Sequence, residues 1–211
     1  MARAPSFCGV ILAAGESSRM GRDKALLPWP PQGAEPRIAR SETFLSANIR
    51  LLEAHTDMVL VVAGKNAPNL APLVYATSAF LVVNPAPQRG QFSSLQAGLR
   101  EVLNRGRDAA VITLVDRPPV RSATLTQLRA AFIEAYSQGK WAVIPQYAEK
   151  HGHPVLIGRE MIEAFLRAPA EANARDIEHQ HQERIVYVAV DDPHSTLNVD
   201  TPEDYARLQH A

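Results

Sequence analysis

A strand-like apolar run, Phe7-Cys8-Gly9-Val10-Ile11-Leu12, breaks without a spacer into the loop Ala13-Ala14-Gly15-Glu16-Ser17-Ser18-Arg19-Met20-Gly21-Arg22-Asp23-Lys24. A short continuous apolar run bounded by a turn signal reads as a strand buried on both faces, as in a parallel sheet. Small residues after it let backbone N–H groups approach anionic oxygens, and fixed cations neutralise the charge, so the loop reads as a phosphate site. Two familiar phosphate loops fail on spacing. A Walker loop needs Gly-Lys-Ser/Thr, but Gly21 is followed by Arg22 and Asp23, and the lysine comes at position 24. A dinucleotide fingerprint needs Gly-x-Gly-x-x-Gly, which the chain lacks.

The rest of the chain alternates strand and helix patterns. Strands are expected at 58–64, 80–84, 110–115, 142–145, 154–157 and 185–190. Helices are expected from about Ser41 to Ala54 with Ser41 as N-cap, at 93–103, at 122–137 and near 159–166. A short helical or irregular stretch covers 69–75, a weakly amphipathic helix covers 171–181, and Thr201-Pro202 opens a terminal helix. Residues 29–36 read as a proline-rich loop. This alternation predicts an α/β fold, a three-layer, doubly wound and mainly parallel sheet, in a single domain over 1–211.

Composition excludes several classes of function. Lys+Arg and Asp+Glu balance at 22 each, so no net field draws the chain to nucleic acid or an anionic membrane. No apolar run approaches the ~20 residues of a membrane span. The run 7–14 faintly mimics a signal peptide, but it continues into the charged loop and reads as strand. The single Cys8 cannot form an internal disulfide and suits packing in a reducing compartment, so a cytoplasmic location is expected.

Three later clusters bear on chemistry. Asn84-Pro85 and Gly90-Gln91-Phe92-Ser93-Ser94 follow a strand and lead into a helix, where a plain N-cap suffices. Asp116, ending the strand Ala110–Val115, faces the same crevice as the first loop, because both lie at carboxyl ends of parallel strands. It suits Mg²⁺, which takes one or two carboxylates plus substrate phosphates, or else caps a turn. Asn198-Val199-Asp200-Thr201-Pro202-Glu203-Asp204 reads locally as a helix N-terminus with acids in its first turn, which leaves Asn198 and Asp200 on one face. His151, His153, His179 and His181 lack cysteine partners and an HExxH spacing, so no zinc site is expected.

The pattern Leu12-Ala13-Ala14-Gly15-x-Ser17-x-Arg19-Met20-Gly21-x-x-Lys24 resembles the signature loop of the nucleotidyltransferases related to MobA, most closely the molybdenum cofactor cytidylyltransferases. The resemblance runs from Val10 to Leu208 and implies a Rossmann-like fold of the nucleotide-diphospho-sugar transferase type. It implies that Leu12, Ala13, Ala14 and Gly15, with Asn84, Gly90 and Ser94, bind the nucleotide. Lys24 would meet the α-phosphate, Arg19 the β and γ phosphates, and Asp116 and Asp200 an Mg²⁺ ion. His153-Pro154 and Asn198 would help form the acceptor pocket. The implied reaction moves a nucleoside monophosphate, CMP from CTP by preference, to a phosphorylated acceptor such as molybdopterin, and a molybdoenzyme would receive the product. Two other readings stay open: transfer to a sugar 1-phosphate or methylerythritol phosphate, and a nucleotide- or cofactor-binding carrier without turnover. The chain departs from the family pattern at Val115, at Arg117, which either adds a cation near the phosphates or points to solvent, and in 171–176, where only Ala174-Arg175 survives. Arg22 reads as a solvated surface charge.

Overall fold

A computed structural model describes residues 5–31, 42–169 and 172–208. In chain order the elements are β1 (Phe7–Leu12), β2 (Pro28–Trp29), β3 (Glu42–Thr43), α1 (Phe44–Glu53), β4 (Met58–Ala63), α2 (Ala67–Tyr75), β5 (Phe80–Val83), α3 (Gln91–Asn104), β6 (Ala109–Leu114), α4 (Ser122–Ser137), β7 (Ala142–Tyr147), β8 (Lys150–His151), β9 (Val155–Gly158), α5 (Arg159–Arg167), α6 (Ala174–Gln180), β10 (Ile185–Ala189) and α7 (Pro202–Arg207).

The main sheet runs β10-β7-β9-β6-β1-β4-β5, with β8 paired to β7. Strands β5, β4, β1 and β6 are mutually parallel. β9 runs antiparallel to both β6 and β7, and β10 is parallel to β7. The sheet is therefore mixed but mostly parallel, an α/β Rossmann-like arrangement as expected. From β1 the chain steps outward through β4 to β5, then returns to the other side of β1 as β6. That reversal opens a crevice at the carboxyl ends of β1 and β6, where open α/β sheets take ligands.

Successive β1 side chains alternate between two cores, as the strand period requires. Phe7 and Ile11 pack with Leu45, Ile49 and Leu52 of α1, Leu70 of α2 and Leu125, Leu128 and Phe132 of α4. Cys8, Val10 and Leu12 face Leu95 and Leu99 of α3, Met161, Ile162 and Phe165 of α5, and Ile177 of α6. Burial pushes the Cys8 thiol up to about 12, so it is a neutral packing group. Gly98 lets α3 lie close on the sheet, since a Cβ there would stand 2.8 Å from Val62 Cγ2 and 3.0 Å from Val10 Cγ1.

Several boundaries differ from expectation. Helix α1 is capped by Thr43, whose side chain and Ser46 form a reciprocal capping box; the expected cap, Ser41, lies outside the described residues. Part of the expected loop at 29–36 also lies outside them, while Trp29 pairs in β2 with Glu42 of β3. The weak helix at 171–181 is confined to Ala174–Gln180, because Asn173 caps it through the Asp176 N–H; Glu171 is not described. Pro154 precedes β9 rather than opening it, and α2 begins two residues before the expected 69–75 stretch, at Ala67.

Candidate active site

The loop after β1 is folded by its own side chains. Ser17 adopts φ 51°, a left-handed conformation uncommon outside glycine, and its Oγ accepts from Lys24 N at 3.1 Å. Asp23 Oδ1 accepts from Ala25 N at 3.0 Å, capping the 3₁₀ turn Lys24–Leu26. Asn66, just after β4, donates from Nδ2 to Ala13 O at 2.9 Å and to Asp23 Oδ2 at 2.7 Å, which ties both ends of the loop to one neighbour. The result is that Lys24 is buried and aimed inward at acids rather than outward at solvent.

Lys24 Nζ lies 2.6 Å from Asp200 Oδ1 and 3.5 Å from Asp116 Oδ2, and Arg19 Nη2 lies 3.0 Å from the same Asp200 oxygen. Asp116 sits in the turn after β6. Asp200 reaches it from the segment 195–200, which docks along that turn through Val199 N donating to Asp116 O at 2.9 Å. Asn198 Nδ2 donates to Asp200 Oδ2 at 2.6 Å, and the Asp200 and Thr201 N–H groups donate to Asp204 in the capping box of α7. The Lys24 hydrogen bond, aided by the charges of Lys24 and Arg19, holds the Asp200 carboxyl below the usual aspartate range against partial burial.

These charges stand at one wall of a cavity of about 940 Å³. Leu12, Ala14, Gly15, Arg19, Lys24, Gly90, Ser94, Asp116 and Asp200 all line it, so most of the residues named from sequence converge here. Others do not. Ala13 turns its methyl into the core, leaving only its carbonyl to serve the loop. Asn84 is buried behind the wall: its Nδ2 donates to Ser93 Oγ at 2.8 Å and Ser94 Oγ at 2.9 Å, and its Oδ1 accepts from Ala86 N, so it shapes the turn that carries Gly90 and Ser94. Pro154 lines a separate small void with Asn48 and Thr113. His153 is also away from the cavity; burial, then the Arg117 charge, pushes its imidazole down to about 3, so the ring is neutral. Asn198 is exposed and touches the site through Asp200.

Arg22 is exposed, with its guanidinium 5.7 Å from the Tyr205 ring centroid. Arg117 follows neither of its two expected courses: it turns back from the cavity and donates from Nη1 to Ser195 O and Leu197 O, each at 3.3 Å. Sequence reasoning also missed Lys65, Asn66 and Asn69, which line the cavity, and Lys65 pairs with Glu16 at 2.8 Å. Their signal was position, since they follow β4 at the same sheet edge as the first loop.

Among the described residues no group of three or more His, Cys, Asp and Glu side chains gathers as a metal cage. The two carboxylates nonetheless fit Mg²⁺, which is commonly held by one or two carboxylates together with substrate phosphates and water. Asp116 Oδ1 is buried with no hydrogen-bond partner, an acceptor oxygen left unspent beside the cavity. Among the described residues, too, no helix is long and apolar enough to cross a membrane.

Comparison with known proteins bears on the family and the fold. The model of the MobA-like NTP transferase domain matches residues 9–185. A molybdenum cofactor guanylyltransferase of Xanthomonas euvesicatoria is 28% identical over 207 residues, covering 97% of this chain and 95% of that one. The Escherichia coli molybdenum cofactor cytidylyltransferase is 24% identical over 199 residues, covering 93% and 92%. The crystal structure of Rv0371c from Mycobacterium tuberculosis superposes with a TM-score of 0.76 at 27% identity over 98% of this chain and 99% of that one, and the same protein has been solved in complex with manganese. With the family model matched over most of the chain and relatives of that kind along nearly its whole length, the chain belongs to the MobA-like NTP transferase family and is a nucleotidyltransferase.

Proposed function

We propose that this nucleotidyltransferase moves CMP from CTP to the terminal phosphate of molybdopterin, or of its molybdenum-bearing form, in the presence of Mg²⁺, and releases pyrophosphate. The observation that carries the reading is the alternating charge array Arg19–Asp200–Lys24–Asp116 on the wall of a cavity large enough for a nucleotide. Relatives named for molybdenum cofactor guanylyl and cytidylyl transfer support the acceptor class, and the manganese complex of Rv0371c supports a divalent cation.

In this reading the array is self-neutralised until the nucleotide arrives. The triphosphate draws Lys24 and Arg19 off Asp200, Lys24 to the α-phosphate and Arg19 to the β and γ phosphates, and thereby frees both carboxylates. Mg²⁺ bound to Asp116 and Asp200 would supply Lewis-acid charge at the α-phosphoryl oxygen. The acceptor phosphate attacks in line. It needs no general base, because its oxygen is already anionic at neutral pH. Buried Lys24 is a preorganised cation, and such a cation lowers the barrier where charge builds on the phosphoryl oxygens. Product would pass to a molybdoenzyme in the cytoplasm.

Base choice is assigned to Ala14, a residue of the cavity wall, where glycine would leave more room for a purine's second ring. Titration of CTP against GTP tests this, on the wild type and on Ala14→Gly. The wild type should favour CTP and the variant should gain on GTP, by about the ~1–3 kcal/mol that one methyl commands. Tighter GTP binding by the wild type would replace the cytidylyl assignment with a guanylyl one.

A further inference from the structure

Asp116 and Asp200 come from opposite ends of the chain's second half, and something must hold them at one place. In the structure Lys24 does part of this, bridging the two carboxylates. That tie is lost in the proposed reaction, when the triphosphate takes the ammonium. Other ties remain: His194 Nδ1 meets Pro119 O at 3.0 Å, and Asp192 accepts from Arg121 N and Thr124 Oγ1. Val199 N donates to Asp116 O at 2.9 Å. His153 N donates to Ser195 O at 2.8 Å, across Gly152, where a Cβ would collide with the Ser195 carbonyl. Arg117, on the Asp116 turn, reaches the same segment with its side chain, donating to Ser195 O and Leu197 O. Its own carbonyl accepts from Asn48 Nδ2 at 3.3 Å, so the turn is anchored to α1 on its far side. Both bonds leave the one nitrogen Nη1, whose two N–H groups can reach one carbonyl each.

We propose that Arg117 is a positioning residue that clamps segment 195–197 to the Asp116 turn, so that Asp116 and Asp200 remain a single divalent-cation site after Lys24 has moved to the nucleotide. The inference rests on the nucleotidyltransferase reading with its acidic metal pair, and adds a residue that touches neither metal nor substrate. Because Arg117 bonds carbonyls and leaves the carboxylates free, its clamp persists through the exchange of partners at the site. Outer-shell groups of this kind typically govern metal affinity about 10–100-fold.

The test titrates Mn²⁺ by water-proton relaxation onto protein holding saturating CTP, and again GTP, without acceptor. It compares wild type, Arg117→Met, Arg117→Lys and Leu128→Ala, a core variant in α4 remote from the cavity. Nucleotide affinity without metal and thermal stability are measured on each. Arg117→Met should bind Mn²⁺ about tenfold more weakly or worse, with nucleotide affinity unchanged. Arg117→Lys, which keeps a cationic donor on a shorter side chain, should lie between, and Leu128→Ala should lose stability but keep its Mn²⁺ affinity. Wild-type Mn²⁺ affinity in Arg117→Met, an equal loss in Leu128→Ala, or a parallel loss of metal-free nucleotide affinity would each overturn the inference. A wild type that binds no Mn²⁺ with either nucleotide would instead remove the acidic metal pair itself, and this inference with it.

Discussion

Lys24 is buried with its ammonium between two carboxylates because Ser17, Asp23 and Asn66 fold the loop inward around it. Arg22, two residues earlier, has no such constraint and stays in solvent. Lys24→Ala should therefore lower the transfer rate by about 10²-fold or more, while Arg22→Ala leaves it near wild type, as measured by pyrophosphate release at saturating nucleotide. Equal losses in two folded variants would mean that the loop acts as a diffuse basic patch. At this scale the sequence was informative where a residue type and its spacing both carry chemistry, as in Gly15, Arg19, Lys24 and Asp116. It was silent on direction. Nothing in the Ala13-Ala14 pair says which methyl faces the core, and nothing in Asn84 says that its amide would be spent on Ser93 and Ser94. Arg117 could not be read at all, since its partners are carbonyls 78 and 80 residues away.

Elements reach the crevice through packing that tolerates little added volume. Helix α3 carries Ser94 on the cavity wall at one end and rests on β1 and β4 through Gly98 further along. Gly98→Ala places a methyl within 2.8 Å of Val62 Cγ2. The overpacking cost of about 1–3 kcal/mol outweighs the gain in helix propensity of about 1 kcal/mol. Thermal denaturation of Gly98→Ala should show a lowered midpoint, and an unchanged or raised midpoint would show that the helix shifts freely on the sheet. The strands and the longer helices were legible because their apolar periods are strong. The short pairings β2–β3 and β7–β8 were not, because two-residue strands carry no period. Nor was the reversed direction of β9, since an apolar run buried on both faces reads the same either way.

For the molecule as a whole, strand order decides where chemistry happens. The reversal between β1 and β6 sets the first loop, the Asp116 turn and segment 195–200 around one cavity, and it joins Arg19 and Lys24 near the start of the chain to Asp116 and to Asp200 near its end. That convergence was anticipated for the loop and for Asp116 by the rule that ligands meet strand carboxyl ends. For Asp200 it rested on resemblance alone, because the residue lies in an irregular segment whose docking no local pattern announces. On the proposed reading the Asp116 side of this cavity takes the α-phosphate of a nucleoside triphosphate for transfer. The deciding measurement follows α-labelled CTP and GTP with Mg²⁺ and molybdopterin, for wild type and for Asp116→Ala. Wild type should put label in the acceptor and release unlabelled pyrophosphate, and the folded Asp116→Ala protein should do neither. Label transferred by Asp116→Ala at the wild-type rate, or no transfer from either nucleotide by the wild type, would contradict it.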